Sequence, residues 1–211
     1  MKYLLIIFFL SQYSFCQQKE FIPINFTEFS YSPSNSENLK RITSDLDNDN
    51  IIDYVTVIHN KTYEDLRMNK KYLLIHLSKS NKNTLIDFED FNAVYFLQPK
   101  LKNKTLEFQM YQEGTGVYGH NLKLRYNSKH NEIELIGYDY SYRVPGGHCN
   151  KTYNLLTGKF IVINDYYDMK TNKTKIEKFY GVQKQKRKYF VSDFTTELFS
   201  NLSQIGSIYE R

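Results

Sequence analysis

The sequence predicts an all-β protein whose strands are mainly antiparallel and joined by hairpins, with one short helix near the C-terminus. Its 211 residues include 19 tyrosines and 15 phenylalanines but only 9 glycines. Aromatic and β-branched side chains suit a pleated, half-buried surface. Strand-length runs of such residues alternate with turn-forming clusters such as NSKHN (127–131) and KTNKT (170–174). The predicted architecture is therefore a sandwich or a curved sheet.

Eight runs of aliphatic, aromatic and β-branched residues are predicted to be strands. They cover residues 52–58, 71–77, 93–97, 105–112, 121–126, 132–142, 159–164 and 173–182. In the fifth run, Leu122 and Leu124 alternate with Lys123 and Arg125, so one face meets the core and the other meets water. This alternation is typical of antiparallel sheets, because parallel sheets are usually buried on both faces.

One helix is predicted close to the C-terminus, in the segment 193–205. Ser192 is the predicted N-cap, since serine accepts hydrogen bonds from the first free N–H groups of a helix. Phe194, Leu198 and either Leu202 or Ile205 share a face at helical spacing. We expect that face to pack on the sheet.

Residues 1–16 have the layout of a secretory signal peptide. Lys2 precedes the apolar run Tyr3–Leu10, which is too short to span a bilayer. Ser14 and Cys16 are small residues at the positions that a signal peptidase reads, so cleavage is expected after Cys16. We therefore expect an exported protein, periplasmic or extracellular, with residues 17–211 forming a single β-rich domain.

A lipid-anchored form, acylated at Cys16, is the less favoured alternative. The residues before the cysteine, Phe15 and Tyr13, fit that processing badly. If Cys16 is removed, Cys149 is the remaining cysteine and no internal disulfide is possible. An unpaired thiol in an oxidising compartment is usually buried and inert, so we expect Cys149 to be structural.

The charge of the chain indicates no particular partner. The formal net charge is +5, and removal of Lys2 lowers it to +4. The basic cluster KQKRK (184–188) is interpreted as a solvated turn, and nucleic acid is not expected as a partner. No second apolar stretch reaches the length of a membrane span, so no transmembrane segment is expected in the mature chain.

An acidic loop precedes the first predicted strand. Asp45, Asp47, Asp49 and Asp53 occupy positions 1, 3, 5 and 9 of this loop. Alternate side chains of a tight loop converge, and carboxylates about 4 to 6 Å apart repel one another unless a cation compensates them. Calcium takes six to eight oxygen ligands, and the carbonyl of Ile51 at position 7 supplies another. The sequence therefore predicts a structural calcium site.

Two positions depart from the best-known calcium loop, the helix-loop-helix hand. Asn50 stands at position 6, where glycine is usual, although asparagine tolerates positive φ well. Thr56 stands at position 12, where such a hand needs a bidentate glutamate, and a strand follows instead of a helix. The alternative is an Asp/Asn-rich hairpin turn that needs no ion.

The loop resembles those of the FG-GAP and VCBS type, whose pattern is DxDxDGxxDxxV. That pattern is matched here by Asp45, Asp47, Asp49, Asn50, Asp53 and Thr56–Val57. The later segments 114–139 (GTGVYGHNLKLRYNSKHNEIELIGYD) and 153–162 (YNLLTGKFIV) resemble a group of small exported bacterial proteins common in Bacteroidetes. The resemblance implies export and a β-rich fold but implies no activity. One acidic loop is too few for a β-propeller.

Catalytic motifs are weak in this chain. Cys149 follows His148, but neighbours on a strand point to opposite sides, so another histidine such as His120 would have to approach the thiol. A carboxylate pair of the glycosidase kind is a second option. Its candidate residues are Glu107, Glu113, Glu132 and Asp139.

Two hypotheses of function follow. The leading hypothesis is a non-enzymatic binding protein of the cell envelope, stapled by calcium and contacting an envelope or secreted protein through an aromatic or loop surface. The alternative is a secreted hydrolase that uses Cys149 with a histidine, or a carboxylate pair.

Overall fold

The computed structural model describes residues 21–29, 39–61, 70–93, 95–112 and 117–210. The predicted signal peptide, its cleavage site and the possible acylation at Cys16 lie outside the described residues. Within the described ranges, no helix combines the length and apolar character that a membrane crossing requires.

The strands nearest the N-terminus form the smaller of two sheets. They are β1 (Phe26–Glu28), β2 (Ile42–Ser44), β3 (Asp53–Asn60), β4 (Lys71–Leu77) and β5 (Lys82–Asp87). The order is β1-β3-β4-β5, and β2 pairs with the first residues of β3. Every pair in this sheet is antiparallel.

The strands from residue 95 onwards form the larger sheet. They are β6 (Tyr95–Phe96), β7 (Lys100–Lys102), β8 (Thr105–Gln112), β9 (Tyr118–Asn127), β10 (Glu132–Val144), β11 (Gly147–Asn154), β12 (Lys159–Asp168), β13 (Lys173–Val182) and β14 (Tyr189–Phe190). The order is β13-β12-β11-β10-β9-β8-β6, while β7 pairs with β8 and β14 pairs with β10. All these pairs are antiparallel, and β13 lies at an edge of the sheet.

The apolar faces of the two sheets share one hydrophobic core. Val55 and Ile75 of the smaller sheet and Phe108 and Leu122 of the larger sheet are each at most 1 % exposed. Phe88, in a short 3₁₀ turn after β5, bridges them, with its ring centroid 5.4 Å from that of Phe108. The predicted all-β class, antiparallel with a short C-terminal helix, is confirmed.

The helix α1 (Thr196–Ser203) begins later than predicted. Thr195 is the N-cap, and its side-chain oxygen accepts a hydrogen bond from the Leu198 N–H at 3.1 Å. The prediction of Ser192 as the cap was wrong. Ser192 lies in a preceding 3₁₀ turn, which is closed by the Asp193 carboxylate accepting the Phe190 N–H at 2.9 Å.

The buried face of the C-terminal segment agrees only in part with the prediction: Leu202 and Ile205 are buried as predicted, but Phe199 is buried in place of Leu198. Phe199 is 1 % exposed and lies 4.1 Å from the Phe91 ring and 5.6 Å from the Tyr138 ring, measured between centroids. Phe194 and Leu198 are only half-buried. The helix thus covers the apolar face of the larger sheet over β10.

All eight predicted runs contain strands, and the described part of the chain has six further strands that were not predicted. The clearest example is β11, GHCNKTYN, whose burial alternates strictly although its side chains are mostly polar. Its buried positions include Lys151 beside Cys149 and Tyr153, so hydrophobicity alone does not reveal the strand. Strand β5 (KNTLID) is a second strand that was not predicted, and Ile86 is its one buried residue.

We expect Phe199→Ala to destabilise the protein by about 3 to 5 kcal/mol, because it removes a buried aromatic ring and leaves a cavity. Urea unfolding measures the change. Asn201→Ala, on the exposed side of the same helix, is the control and is expected to stay within about 0.5 kcal/mol of the parent. Similar losses in both variants would contradict the packing described here.

Candidate functional site: the acidic hairpin loop

The acidic loop, residues 45–52, connects β2 to β3 in a hairpin. Its ends are fixed by the antiparallel pair of Ser44 with Asp53. Asn48 and Asn50 both adopt φ of 67°, a left-handed conformation that asparagine accepts more readily than most residues. The chain therefore turns tightly at position 6 of the loop without glycine, as the sequence predicted.

Asp45 organises the turn through backbone hydrogen bonds. Its two carboxylate oxygens accept the N–H groups of Asp49 at 3.1 Å and Asn50 at 3.3 Å. Desolvation acts to raise the pKa of Asp45, but these backbone donors and the nearby Lys104 ammonium lower it below its usual value. Asp45 is therefore held as a carboxylate.

Three carboxylates of the loop converge. Asp45, Asp47 and Asp49 each offer an oxygen within 4.8 Å of the others, a spacing that could hold a metal ion. Asp47 Oδ1 and Asp49 Oδ2 are shielded from solvent and have no hydrogen-bond partner within the described ranges. Partial burial raises the pKa of Asp47, and the carboxylates of Asp53 and Asp49 raise it further. The like-charge repulsion among loop carboxylates that the sequence predicts therefore acts on Asp47.

Asp53 faces the protein interior and is 0 % exposed. Its two oxygens accept the N–H groups of Leu46 and Ser78, each at 2.8 Å. The Ser78 hydroxyl also donates to the Ile52 carbonyl at 2.6 Å. Since Ser78 directly follows β4, Asp53 joins the loop to the neighbouring strand.

Ile51 lies at the exposed end of the loop. Its side chain is 43 % exposed, and its backbone N–H donates to Asp49 Oδ1 at 2.7 Å. The converging carboxylate oxygens of the loop come from Asp45, Asp47 and Asp49. Asp53 instead accepts a hydrogen bond from the backbone N–H of Leu46.

The larger sheet supplies a cation that the sequence analysis did not identify. Lys104 Nζ donates to Asn48 Oδ1 at 2.5 Å and lies 3.6 Å from Asp45 Oδ2. Lys104 is in the tight turn between β7 and β8, where it and Asn103 have positive φ. The turn sequence Asn-Lys gives a weak hairpin signal, but nothing in the sequence indicates that this turn meets the loop. Leu46, next to Asp45 in the loop, is 6 % exposed and belongs to the shared hydrophobic core.

Cys149 is fully buried on the inner face of β11 and does not form a catalytic pair with a described histidine. His148 is exposed and points to the opposite face. His120 shares the inner face, but it lies on β9, and β10 separates β9 from β11. The Nδ1 atom of His120 is hydrogen-bonded to the Tyr138 hydroxyl at 2.6 Å. Burial raises the pKa of the Cys149 thiol, which disfavours the nucleophilic thiolate.

A buried lysine neighbours Cys149. Lys151 is 6 % exposed, and its ammonium donates hydrogen bonds to the Ser203 carbonyl and the Glu210 carboxylate. The rings of Tyr140 and Tyr142 lie 5.6 and 5.9 Å from the same ammonium. These contacts compensate the buried charge of Lys151 and join β11 to the C-terminal segment, which is a structural role.

Two of the candidate carboxylates, Glu107 and Asp139, lie on the strands that flank Lys123 in the larger sheet. The Asp139 carboxylate forms an ion pair with the Lys123 ammonium at 2.8 Å and accepts a hydrogen bond from the Asn121 amide at 3.0 Å. Glu107 lies on the same outer face, directly opposite Lys123. Glu132 is seven residues from Asp139 along β10, roughly 23 Å at the rise of a strand. The fourth candidate, Glu113, lies outside the described residues.

Comparison with known protein families, curated proteins and solved structures gives no significant match. The resemblance of the loop to the FG-GAP and VCBS type therefore stays a prediction from its sequence pattern.

We expect Asp53→Ala to cost about 2 to 5 kcal/mol of unfolding free energy in the presence of chelator, because two buried N–H groups lose their acceptor. Asp47→Ala removes the same charge from a less buried position in the same loop and should cost much less. Urea unfolding of both variants measures the difference, and equal losses would show that the backbone role assigned to Asp53 is wrong.

Burial of His120 predicts a pH dependence of stability. Desolvation lowers the pKa of this imidazole from 6.5 to about 4, so the unfolded chain binds the proton first as pH falls. Stability should therefore decrease from pH 6.5 to about 4, by on the order of 2 to 3 kcal/mol from this group.

The variant His120→Gln tests this dependence by urea unfolding across that pH range. We expect its stability to vary less with pH than that of the parent, whereas His148→Gln, at an exposed histidine, should follow the parent. Identical pH profiles for the parent and His120→Gln would contradict the assignment.

Proposed function

We propose that the protein is an exported, non-enzymatic binding protein of the cell envelope, in which calcium staples the acidic hairpin loop and an exposed apolar surface contacts a partner protein. Export is supported by the signal-peptide pattern of residues 1–16. The loop supports a structural ion, and the edge of the larger sheet supports the partner surface.

Calcium is the ion that best suits the donors of the loop. Three carboxylates offer hard oxygen ligands, and the two shielded oxygens of Asp47 and Asp49 lack a protein donor within the described part of the chain. Lys104 compensates one side of the loop, near Asp45, whereas partial burial and then the neighbouring carboxylates raise the pKa of Asp47. A divalent cation relieves that repulsion, and extracellular calcium sites of this kind bind at about 0.1 to 1 mM.

The observation that carries the binding role is an apolar strip at the edge of the larger sheet. We define the edge strip as Ile176, Tyr180 and Val182 of β13 with Ile161 and Ile163 of β12. The three β13 side chains are 61 %, 67 % and 62 % exposed. Adjacent strand positions place Ile161 beside Tyr180, whereas Ile163 is opposite Lys178 and Ile176 is opposite Asp165.

An exposed apolar strip along an edge strand is costly in a monomer, because it favours association. Lysines at positions 173, 175 and 178 of the same strand limit indiscriminate pairing. Lys178 lies within this strip, between Ile176 and Tyr180, so the surface suits a partner protein with apolar groups and a complementary acidic group.

The hydrolase alternative is not proposed. Its thiol version requires a reactive, accessible cysteine, whereas Cys149 is 0 % exposed with a raised pKa. Its carboxylate version requires two free carboxyl groups facing a cleft, whereas Asp139 is paired with Lys123. No observation on the described residues favours either version over binding.

We expect calcium to raise the melting temperature of the protein. At about ten times its dissociation constant, calcium adds about 1.4 kcal/mol, or roughly 3 to 6 °C for a domain of this size. Differential scanning calorimetry with chelator and with millimolar calcium measures the shift, and magnesium at the same concentration is the comparison. Equal melting curves with chelator and with calcium would remove calcium from the proposal.

The variant Asp47→Asn distinguishes a loss of calcium binding from a loss of folding stability. Without calcium, it should melt at the same or a slightly higher temperature, because the like-charge repulsion at this position is relieved. With calcium, the upward shift should be lost. A full calcium response in this variant would place the ion elsewhere.

A photo-crosslinking residue at position 180 tests the partner surface. In envelope fractions, we expect one defined protein adduct, weakened when Ile176→Ser is added to the strip. The same crosslinker at Ile24, which is 86 % exposed and far from β13 in the fold order, is the control. The same adducts from both positions would contradict the strip as the binding surface.

A further inference from the structure

A second surface of the larger sheet, distinct from the edge strip, has a different chemistry. The outer face of β8 to β11 is polar, and its central residues occupy two neighbouring rows of the sheet. We define the polar groove by six of them: Gln109, Gly119, Asn121, Ser141, Asn150 and Thr152. Most outer faces of antiparallel sheets meet water, so polarity alone does not indicate a site.

The shape of this face provides a separate observation. Two depressions of about 290 and 330 Å³ lie on it, and they share Gln109, Gly119, Ser141 and Asn150 as lining residues. They form one continuous groove across four strands. At a strand spacing of about 4.8 Å, these strands extend roughly 14 Å from β8 to β11, enough for a short linear oligomer.

Gly119 deepens the groove at its centre. A Cβ at this position would lie 3.1 Å from Ser141 Oγ and 3.6 Å from the Tyr111 side chain. The lack of a side chain therefore leaves a notch between the Ser141 hydroxyl and the Cβ of Tyr111. Tyr111 itself is held by stacking on Tyr95, with ring centroids 5.5 Å apart and planes inclined by 21°.

The groove offers many neutral hydrogen-bonding groups. The side chains of Gln109, Ser141, Asn150 and Thr152 line this face, and Gln109, Asn150 and Thr152 are exposed. Each amide and hydroxyl combines a donor with an acceptor. At the centre of this face, the charge of Asp139 is compensated by Lys123 at 2.8 Å, while Arg143 and His148 line one end of the larger depression.

We infer that the polar groove binds a neutral oligosaccharide. A sugar carries hydroxyls, each a donor and an acceptor, at nearly every position, so it satisfies several amides and hydroxyls at once without leaving a buried polar group unpaired. The Tyr111 ring provides an apolar surface for the C–H face of one sugar unit.

An extended peptide fits this face less well. Peptides that bind to sheets gain most of their affinity by pairing with a free strand edge, and the backbone groups of β9, β10 and β11 are already paired on both sides. The inference depends neither on the acidic loop nor on the edge strip, which lies beyond β11 on β12 and β13.

The test is a titration of the ¹⁵N-labelled mature protein, followed by amide chemical shifts. The probes are cellohexaose, maltohexaose, xylohexaose and chitohexaose at millimolar concentration. We expect saturable shifts with at least one of these sugars, confined to the backbone and side-chain amides of the groove in β8 to β11.

Two variants then locate the binding. The double variant Gln109→Ala/Asn150→Ala should weaken it by about tenfold, since it removes two hydrogen-bonding side chains. Gly119→Val, which fills the notch with a residue suited to strands, should weaken it as much or more. Asn201→Ala, on the exposed side of α1, should bind as the parent does, and calorimetric melting confirms that each variant is folded.

The proposal is overturned if none of the four sugars produces saturable shifts in the parent protein. It is equally overturned if binding persists unchanged in both folded groove variants. Shifts of the groove amides with an acidic peptide, but with none of the sugars, would assign the surface to peptides instead.

Discussion

The buried carboxylate of Asp53 is the constraint on which the acidic loop depends. It is 0 % exposed, and it accepts the N–H groups of Leu46 and Ser78 at 2.8 Å each. A buried anion is stable only where hydrogen bonds replace its hydration, and here two segments of backbone supply them. Asp53 thereby fixes both ends of the hairpin against β4. The remaining aspartates are then forced to converge, which produces the local excess of negative charge.

The larger sheet separates two kinds of chemistry on its two faces. Its inner face carries the groups that resemble catalytic residues, namely Cys149, His120 and Lys151, but each is buried and engaged in packing or hydrogen bonds. The outer face carries the accessible groups, with amides and hydroxyls over β8 to β11 and apolar side chains over β12 and β13. Because strand residues alternate between the faces, a single sequence run such as β11 contributes to both. The buried groups of the inner face therefore contribute to stability, while the accessible groups lie on the outer face.

The sequence predicted those features that depend on local pattern. Alternation in Leu122–Arg125 and the turn-forming clusters predicted antiparallel strands, which are present. The spacing of the four loop aspartates predicted their convergence: Asp45, Asp47 and Asp49 converge, whereas Asp53 accepts backbone N–H groups. Local pattern failed where packing overrides composition. β11 contains few apolar residues, and its buried Lys151 is tolerated because Glu210, 59 residues away, lies against it. The cap of α1 was misplaced because Asp193 closes an earlier turn at Ser192.

The sequence by itself determined the all-β class, the position of the acidic loop and the expectation of export, because these follow from residue type and short-range spacing. Tertiary structure alone decided which groups meet. It placed Lys104 beside Asp45, separated His120 from Cys149 by the intervening β10, and aligned Gln109, Ser141 and Asn150 in one groove. Those contacts join residues distant in the chain, and their formation depends on strand order and register, which no local pattern specifies.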